Sequence, residues 1–516
     1  NQGGTGAQDR NVAQKLQETV SVKDFGAVGD GVTDDKSAIQ AAIDHLNTVG
    51  GGTLYFPYTS SGYVAASRIT IYGNIELLGQ SRVLLKCTDS SSGGDVGIAG
   101  DNITIRNLKI QIAGNQGIYL TNNTDRFTLD GCWIYDSGHT GIMVHANVTN
   151  VTNILIKDNI ISGGTYGVLL NNALTGSGCQ IVGNTMYDNK CIELNTISGL
   201  WTETLISNNT LDASGSNGSS DAFAIGIATG IRVAITGNNI VDTFEEAIHI
   251  EDNSVDITIS GNTIRSSKTT KDGIRILQGS GGLGENYTIT GNTIRLAGVI
   301  GVSSGNYGIH IVTDANTSVK NVTINGNTIE RFETGIKFGT FATDSATGNI
   351  VSNSDVGFQL ARSSRSINSN MFDSCVKTLT MAAPSTIGKI SLKGTMPTTL
   401  CDTAGSIIEG IDCEVAFTHT GGGAVETVNA FAAPSRFIGE AKLVMYNSAT
   451  IRSTNARRLK WDGTTETATD SVTLNNGGFT SSETTIASGQ VKAGVLYSGS
   501  SIAVKGQLTL EGAYIV

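Results

Sequence analysis

Apolar and polar residues alternate along most of the chain in short runs, such as DITIS (256–260) and NVTIN (321–325). A period of two belongs to a strand with one buried face. A second kind of run recurs beside the first: GIYL (117–120), GIMV (141–144), GVLL (167–170), CIEL (191–194), AFAI (222–225), AIHI (247–250), GIRI (273–276), GIHI (308–311), GIKF (335–338) and GFQL (357–360). Each opens on a small residue. Its second and fourth residues face inward and its third faces out.

Between the two kinds of run lies a fixed asparagine: Asn159, Asn184, Asn209, Asn238, Asn262, Asn292 and Asn327, spaced by 25, 25, 29, 24, 30 and 35 residues. A strand-bearing repeat of this length predicts a solenoid. Stacked coils place the inward residues above one another and stack the asparagines into a hydrogen-bonded ladder. Asn also suits the left-handed conformation of a tight bend. Variable spacing is absorbed by loops, since added loop residues cost little closure entropy. No LxxLxL pattern supports a leucine-rich repeat, and irregular loops argue against the strict hexapeptide of a left-handed β-helix. The expected fold is all-β: a right-handed single-stranded parallel β-helix of ten or eleven coils, roughly 50 Å long at ~4.8 Å per coil.

Both ends differ from the repeat. Residues 33–48, TDDKSAIQAAIDHLNT, predict a helix capped by Asp34 or Asp35, with Ala38, Ala41, Ala42 and Leu46 on one face. Such a helix can seal the open end of a solenoid. The expected organisation is a linker over 1–20 from a missing head-binding part, an N-terminal cap with first coils over 21–80, the β-helix over 81–375, a transition over 376–400, and a C-terminal β-sandwich-like domain over 401–516, a candidate for joining copies of the chain.

Composition narrows the function. The 516 residues include 65 glycines and four prolines, and 45 acidic against 34 basic residues give a formal charge of −11. No Lys/Arg cluster predicts nucleic-acid binding, and no apolar stretch is long enough to span a membrane. The seven cysteines, at 87, 132, 179, 191, 375, 401 and 413, follow no zinc spacing, and the six histidines form no paired metal motif. The cysteines fit small buried side chains in a protein folded in a reducing cytoplasm. No cofactor is expected.

Candidate chemistry comes from columns. The residues preceding the second strands are Gln116, Thr140, Tyr166, Lys190, Asp221, Glu246, Asp272, Tyr307 and Thr334. Asp221, Glu246 and Asp272 would stand on consecutive coils. Carboxylates that close repel, which raises one pKa and suits a general acid beside a base or nucleophile. Adjacent coils give roughly retaining spacing and alternate coils roughly inverting spacing for a glycosidase. Glu246 and Asp272 are the expected working pair, with Asp221 positioning water. Solvated turns or a cation site would use the same acids. The outward residues are Tyr119, Met143, Leu169, Glu193, Ala224, His249, Arg275, His310, Lys337 and Gln359. Glu193, His249, Arg275, His310 and Lys337 are candidates for binding sugar hydroxyls or a carboxylate, with Glu251 and Asp252 in reserve. Apolar Met143 and Leu169 on that face suggest cover by another subunit. The loops 211–221, 277–288 and 297–307 could wall a groove. Trp201 is either an exposed stacking platform for sugar or a core or interface residue.

The segment VSVKDFGAVGDGVTDDKSAIQAAIDHLNTVGGGTLYFP (20–57) resembles the opening of the pectate-lyase-like superfamily in phage tail proteins. GGTGAQDRNVAQKLQET, just before it, resembles the linker between the head-binding part and the β-helix of a tailspike. The resemblance covers roughly residues 3–375 and is specific for the superfamily more than for a reaction. The plant polygalacturonase motifs are not present as a set, so no catalytic residue carries over. The resemblance implies a homotrimer on a virion tail, joined to the phage tail or baseplate, that binds and cuts bacterial surface polysaccharide, O-antigen or capsule. Three functions are carried forward. The first is an endoglycosidase using the acid column. The second is a polysaccharide lyase acting on a uronate-containing glycan, with Arg275 and Lys337 neutralising the uronate carboxylate. The third is a non-catalytic glycan-binding spike.

Overall fold

A computed structural model gives an all-β right-handed parallel β-solenoid with an N-terminal helix. It describes residues 5, 11, 19–89, 94–144, 148–171, 175–188, 190–195, 200–213, 223–243, 245–266, 271–277, 283–297, 305–312, 318–339, 345–361, 366–382, 386–395, 399–401, 407–419, 436–447, 450–461, 466–474, 479–480, 496–497 and 504–515, with backbone alone at 171, 190, 195, 266, 283, 318, 366, 386, 394–395 and from 399 onward. The chain divides into two units, Asn1–Thr258 and Ile259–Val516. No helix among the described residues is long and apolar enough to cross a membrane.

The first unit begins with the segment that carries the superfamily resemblance, and its acids have structural duties. Asp35 is buried, and its carboxylate accepts the Val28, Gly29 and Val64 N–H groups at 2.6, 3.2 and 3.3 Å. This ties the GAVGDG turn to the first coil. Asp34 accepts the Lys36 N–H at 3.1 Å and opens the helix Lys36–Thr48. The helix buries Ile39, Ala42, Ile43 and Leu46. Ala38 and Ala41, expected on that face, lie off it, because the larger isoleucines define the i, i+3, i+4, i+7 stripe.

The second strands of this unit pair in parallel in the order Ile69–Ile71, Val96–Ile98, Gln116–Leu120, Thr140–Val144, Tyr166–Asn171, Lys190–Asn195, Ile225–Ala228 and Ile248–Glu251. Ile118, Ile142, Val168, Ile192, Ile225 and Ile248 stack in register and are fully buried. In the second unit Ile274, Ile309, Ile336, Phe358 and Leu379 stack likewise. Burying each such side chain contributes roughly 1.5–3 kcal/mol. Where a glycine heads the strand, close approach requires it. A Cβ on Gly308 would lie 2.3 Å from Ile329 Cγ2 and 2.7 Å from the Gly335 carbonyl oxygen.

The asparagines form ladders. In the first unit the amides of Asn159, Asn184 and Asn209 each donate to the Oδ1 of the asparagine one coil on, ending at Asn238, at 2.9–3.0 Å. In the second, Asn262, Asn292, Asn327 and Asn349 do the same, ending at Asn370. Asn349 and Asn370 extend the repeat past the last member visible in the sequence. The left-handed residue is the one before each asparagine, as at Asp158, Gly183, Asn208, Gly237, Gly291 and Gly326. The ladder asparagines themselves are not left-handed, because the amide must point along the stack.

Parallel pairing continues through the stretch where the sequence repeat fades. Asn370–Asp373 pairs with Thr386–Thr395, which pairs with Ile407–His419. After that, Arg436–Asn447, Thr450–Trp461, Glu466–Leu474 and Val504–Ile515 pair antiparallel. A second packed layer, as in a sandwich, is not among the described residues. The described cysteines Cys87, Cys132, Cys179, Cys191 and Cys375 are buried, and none of these five is in a disulfide.

Two stability outcomes follow. Asn209→Ala removes a buried amide that bonds Asn184, Asn238 and the Ile181 carbonyl. Urea unfolding should show a loss of roughly 3–5 kcal/mol, from several buried groups left unpaired. Burial raises Asp95 from 3.8 to about 7, with the Gly114 N–H opposing the rise. Its folded pKa therefore exceeds its unfolded one, and ionisation costs stability as pH rises from 3.8 to about 7. Asp95→Asn should melt higher than the wild type above pH 7, and the difference should vanish below 3.8.

Candidate functional site

The outward column of the first unit is Tyr119, Met143, Leu169, Glu193, Gly226 and His249, each paired with the next. The sequence pattern placed AFAI (222–225) as the strand and Ala224 in this column. The strand is instead Ile225–Ala228, two residues later, because Ile225 pairs with both Ile192 and Ile248. Its outward residue is a glycine, which leaves no side-chain signal in the pattern. By the same count Phe223, not Asp221, stands three residues before the outward position. Asp221 lies outside the described residues. Of the two apolar residues expected to be covered by another subunit, Leu169 is buried within the single chain and Met143 is half-buried.

Glu246 and His249 are both buried. Glu246 Oε2 lies 3.5 Å from His249 Nδ1, an ion-pair distance too long for a good hydrogen bond, and Glu251 Oε2 lies 3.3 Å from Nε2. Burial pushes His249 down, but the two glutamates outweigh it and hold the imidazole raised to about 9. The ring stacks on Phe223 at 4.1 Å between centroids. The result is an imidazolium clamped between two carboxylates. Glu193 is half-buried, between Leu169 and Gly226 in register. Trp201 is fully enclosed, its six-membered ring seated over Gly176, where a Cβ would stand 2.3 Å away. It is a core residue and offers no stacking surface.

The second unit holds a different arrangement. Its outward column is Arg275, His310, Lys337, Gln359 and Thr380. Asp272 is buried and grips the neighbouring strand at two points. Its Oδ1 accepts the Tyr307 N–H at 2.9 Å, and its Oδ2 lies 2.8 Å from His310 Nδ1. The carboxylate therefore fixes the imidazole with its Nδ1 proton on Asp272 and its Nε2 lone pair turned away. Burial lowers the His310 pKa below 6.5, Asp272 opposes this, and Lys337 and Arg275 lower it further. His310 is a neutral imidazole at physiological pH. Tyr307 packs on it, with 4.2 Å between ring centroids, and Lys337 Nζ donates to the Tyr307 hydroxyl at 3.0 Å.

The structure thus brings together Asp272, Arg275, His310 and Lys337 from the sequence candidates, and separately Glu246, His249 and Glu251. Phe223 and Tyr307 were not among those candidates. Tyr307 could have been found, since it heads GIHI at the place that Glu246 and Asp272 hold in their own coils. The candidate wall loops are largely outside the described residues. Among the described residues no group of three His, Cys, Asp or Glu side chains is disposed to hold a metal ion.

Residues 19–189 match a family model described as rhamnogalacturonase A/epimerase, pectate lyase-like. The chain is 41% identical over 85 residues to the mannuronan C5-epimerase AlgE6 of Azotobacter vinelandii, covering 15% of this chain and 10% of that protein. It is 35% identical over 141 residues to alginate lyase 7 of the same organism, covering 25% and 16%. It is 34% identical over 112 residues to the tail spike protein of Shigella phage Sf6, covering 20% and 18%. The chain therefore spans less than a fifth of each of these relatives. Residues 19–189 are thus similar to the pectate-lyase-like family, and short stretches of the chain are similar to bacterial epimerases and to a phage tail spike. The family match ends before both histidine clusters.

Glu251→Gln removes one of the two carboxylates holding the His249 proton. Followed by NMR, the His249 titration should move down from about 9. An unchanged titration would mean that Glu251 does not hold the charge.

Proposed function

We propose that the chain is a polysaccharide lyase acting on a uronate-containing glycan, with His310 as the base. The observation that carries this reading is the commitment of the carboxylates. A glycosidase needs one carboxylic acid and one free carboxylate beside the scissile bond. Here Asp272 is spent on His310 and Tyr307, and Glu246 faces the His249 imidazolium. Beside them stands His310, a neutral imidazole with a cation on the coil to either side, Arg275 and Lys337.

That is the equipment for removing a proton next to a carboxylate. The C5 hydrogen of a uronate is weakly acidic, and its removal places negative charge on the C6 carboxylate. Arg275 and Lys337 stabilise that charge as it develops. His310 Nε2 takes the proton, and Asp272 steadies the imidazolium that forms. The likeness to a mannuronan C5-epimerase and to an alginate lyase supports the uronate, since both names describe chemistry on uronate polymers. The likeness to the Sf6 tail spike supports a phage-tail setting, in which a homotrimeric spike would degrade host surface polysaccharide.

Incubated with soluble polyuronates, the protein should release fragments absorbing in the ultraviolet. His310→Ala should lose at least ~100-fold in rate. The rate should fall only as pH drops below 6.5, where His310 gains its proton. Full activity in the variant, or an acid limb centred above 6.5, would remove His310 as the base.

A further inference from the structure

We infer that the first unit carries a second glycan site, which holds an anionic polysaccharide without cutting it, on the outer face of the strands Ile103–Ile112 and Trp133–Tyr135. The choice of a uronate polymer as its occupant rests on the lyase reading above. These strands belong to the larger sheet and not to the second strands that present His249 and His310.

Lys109 and Trp133 are in register on consecutive coils, as are Gln111 and Tyr135. All four point outward, because the alternating residues Ile110, Ile112 and Ile134 are buried. Lys109 Nζ lies 4.1 Å from the Trp133 ring centroid and 4.8 Å from that of Tyr135, and the two rings stand 5.5 Å apart. The ammonium is therefore held against two aromatic rings. Asp136, the acid beside Tyr135, accepts from Gln111 Nε2 at 3.0 Å instead. On the coil before, Lys86 is exposed and in register with Gln111. Among the described residues neither Lys86 nor Lys109 has a carboxylate at ion-pair distance. The cations of the adjoining face are paired: Arg106 with Glu76 and Asp130, and Lys157 with Asp130.

A chain of formal charge −11 repels a polyanion over most of its surface, so two unpaired lysines mark a place where one can approach. The ammonium groups match the carboxylates of a uronate chain. The half-buried rings of Trp133 and Tyr135 offer apolar surface to the C–H groups of a sugar. Tyr135, Ser162 and Tyr187 are in register, so another half-buried tyrosine follows two coils on, roughly 9–10 Å away at ~4.8 Å per coil. The rings alone would suit a protein partner as well as a glycan. The lysines favour a polymer with a carboxylate on every residue. Such a site keeps a long chain on the protein between cuts and raises its local concentration.

The test titrates polymannuronate, and separately a neutral mannan, into the full chain carrying His310→Ala, so that no polymer is consumed. Tryptophan emission and affinity electrophoresis are read together. Polymannuronate should change the emission, and Trp133→Phe should abolish that change. Lys109→Ala should weaken retention by at least ~10-fold, and Lys109→Arg should restore most of it, which a folding defect would not allow. With His310 intact, Lys109→Ala should leave the cleavage rate of short oligouronates unchanged. Unchanged retention in Lys109→Ala, or mannan retained as strongly as polymannuronate, would overturn the inference. A change in sedimentation of Lys109→Ala with retention of polymer intact would make the face an interface between copies and overturn it too. If the chain with His310 intact releases no ultraviolet-absorbing fragments while Lys109→Ala still loses polymannuronate, the lyase reading falls and the holding site stands.

Discussion

The vertical register of the coils is the constraint on which everything else depends, and the buried asparagine ladders help to fix it. Each amide both accepts from the coil before it and donates to the coil after it, as Asn209 does between Asn184 and Asn238. A buried amide without those partners would be costly. Stacking holds successive coils ~4.8 Å apart, and a side chain on one strand becomes the fixed neighbour of the side chain in register on the next. The Asp272–His310 contact is a product of that constraint, because an acid at the start of one strand meets the strand that follows it.

The two histidine clusters show how one scaffold position yields opposite chemistry. His249 and His310 both occupy the outward place of a second strand, and both are buried. His249 has a glutamate at each nitrogen, and its proton is held. His310 has one aspartate and two cations nearby, and its proton is released. Burial acts in the same direction on both, so the balance of neighbouring charge decides the outcome. The clamped imidazolium suits holding a strand end in place, and the neutral imidazole suits taking a proton.

Much of the fold was legible because β-helix coils repeat simple signals. The small residue heading each second strand, the inward isoleucines and the laddered asparagines all follow from close packing and can be read by eye. The site was less legible. Asp272, Arg275, His310 and Lys337 follow from the columns, but a column of acids gives no weight to the tyrosine at position 307. The error at Ala224 has a specific origin. Residues 222–228 read AFAIGIA, which admits two registers, and the true outward residue is a glycine with no side chain to announce it. The roles of the carboxylates could not be read from spacing at all, since only the fold shows that Asp272 turns toward His310. Trp201 was ambiguous for a similar reason, because the room for its ring is made by Gly176, a coil away in sequence.

The central claim is that the glycosidic bond is broken by elimination and not by water. Cleavage of a polyuronate in water enriched in ¹⁸O, read by mass spectrometry of the fragments, tests it most directly. Elimination gives fragments one water lighter at the new non-reducing end, with no heavy oxygen from solvent in the cleaved linkage. Fragments of full hydrated mass carrying one ¹⁸O would contradict it, and would return the carboxylates to the centre of the reaction.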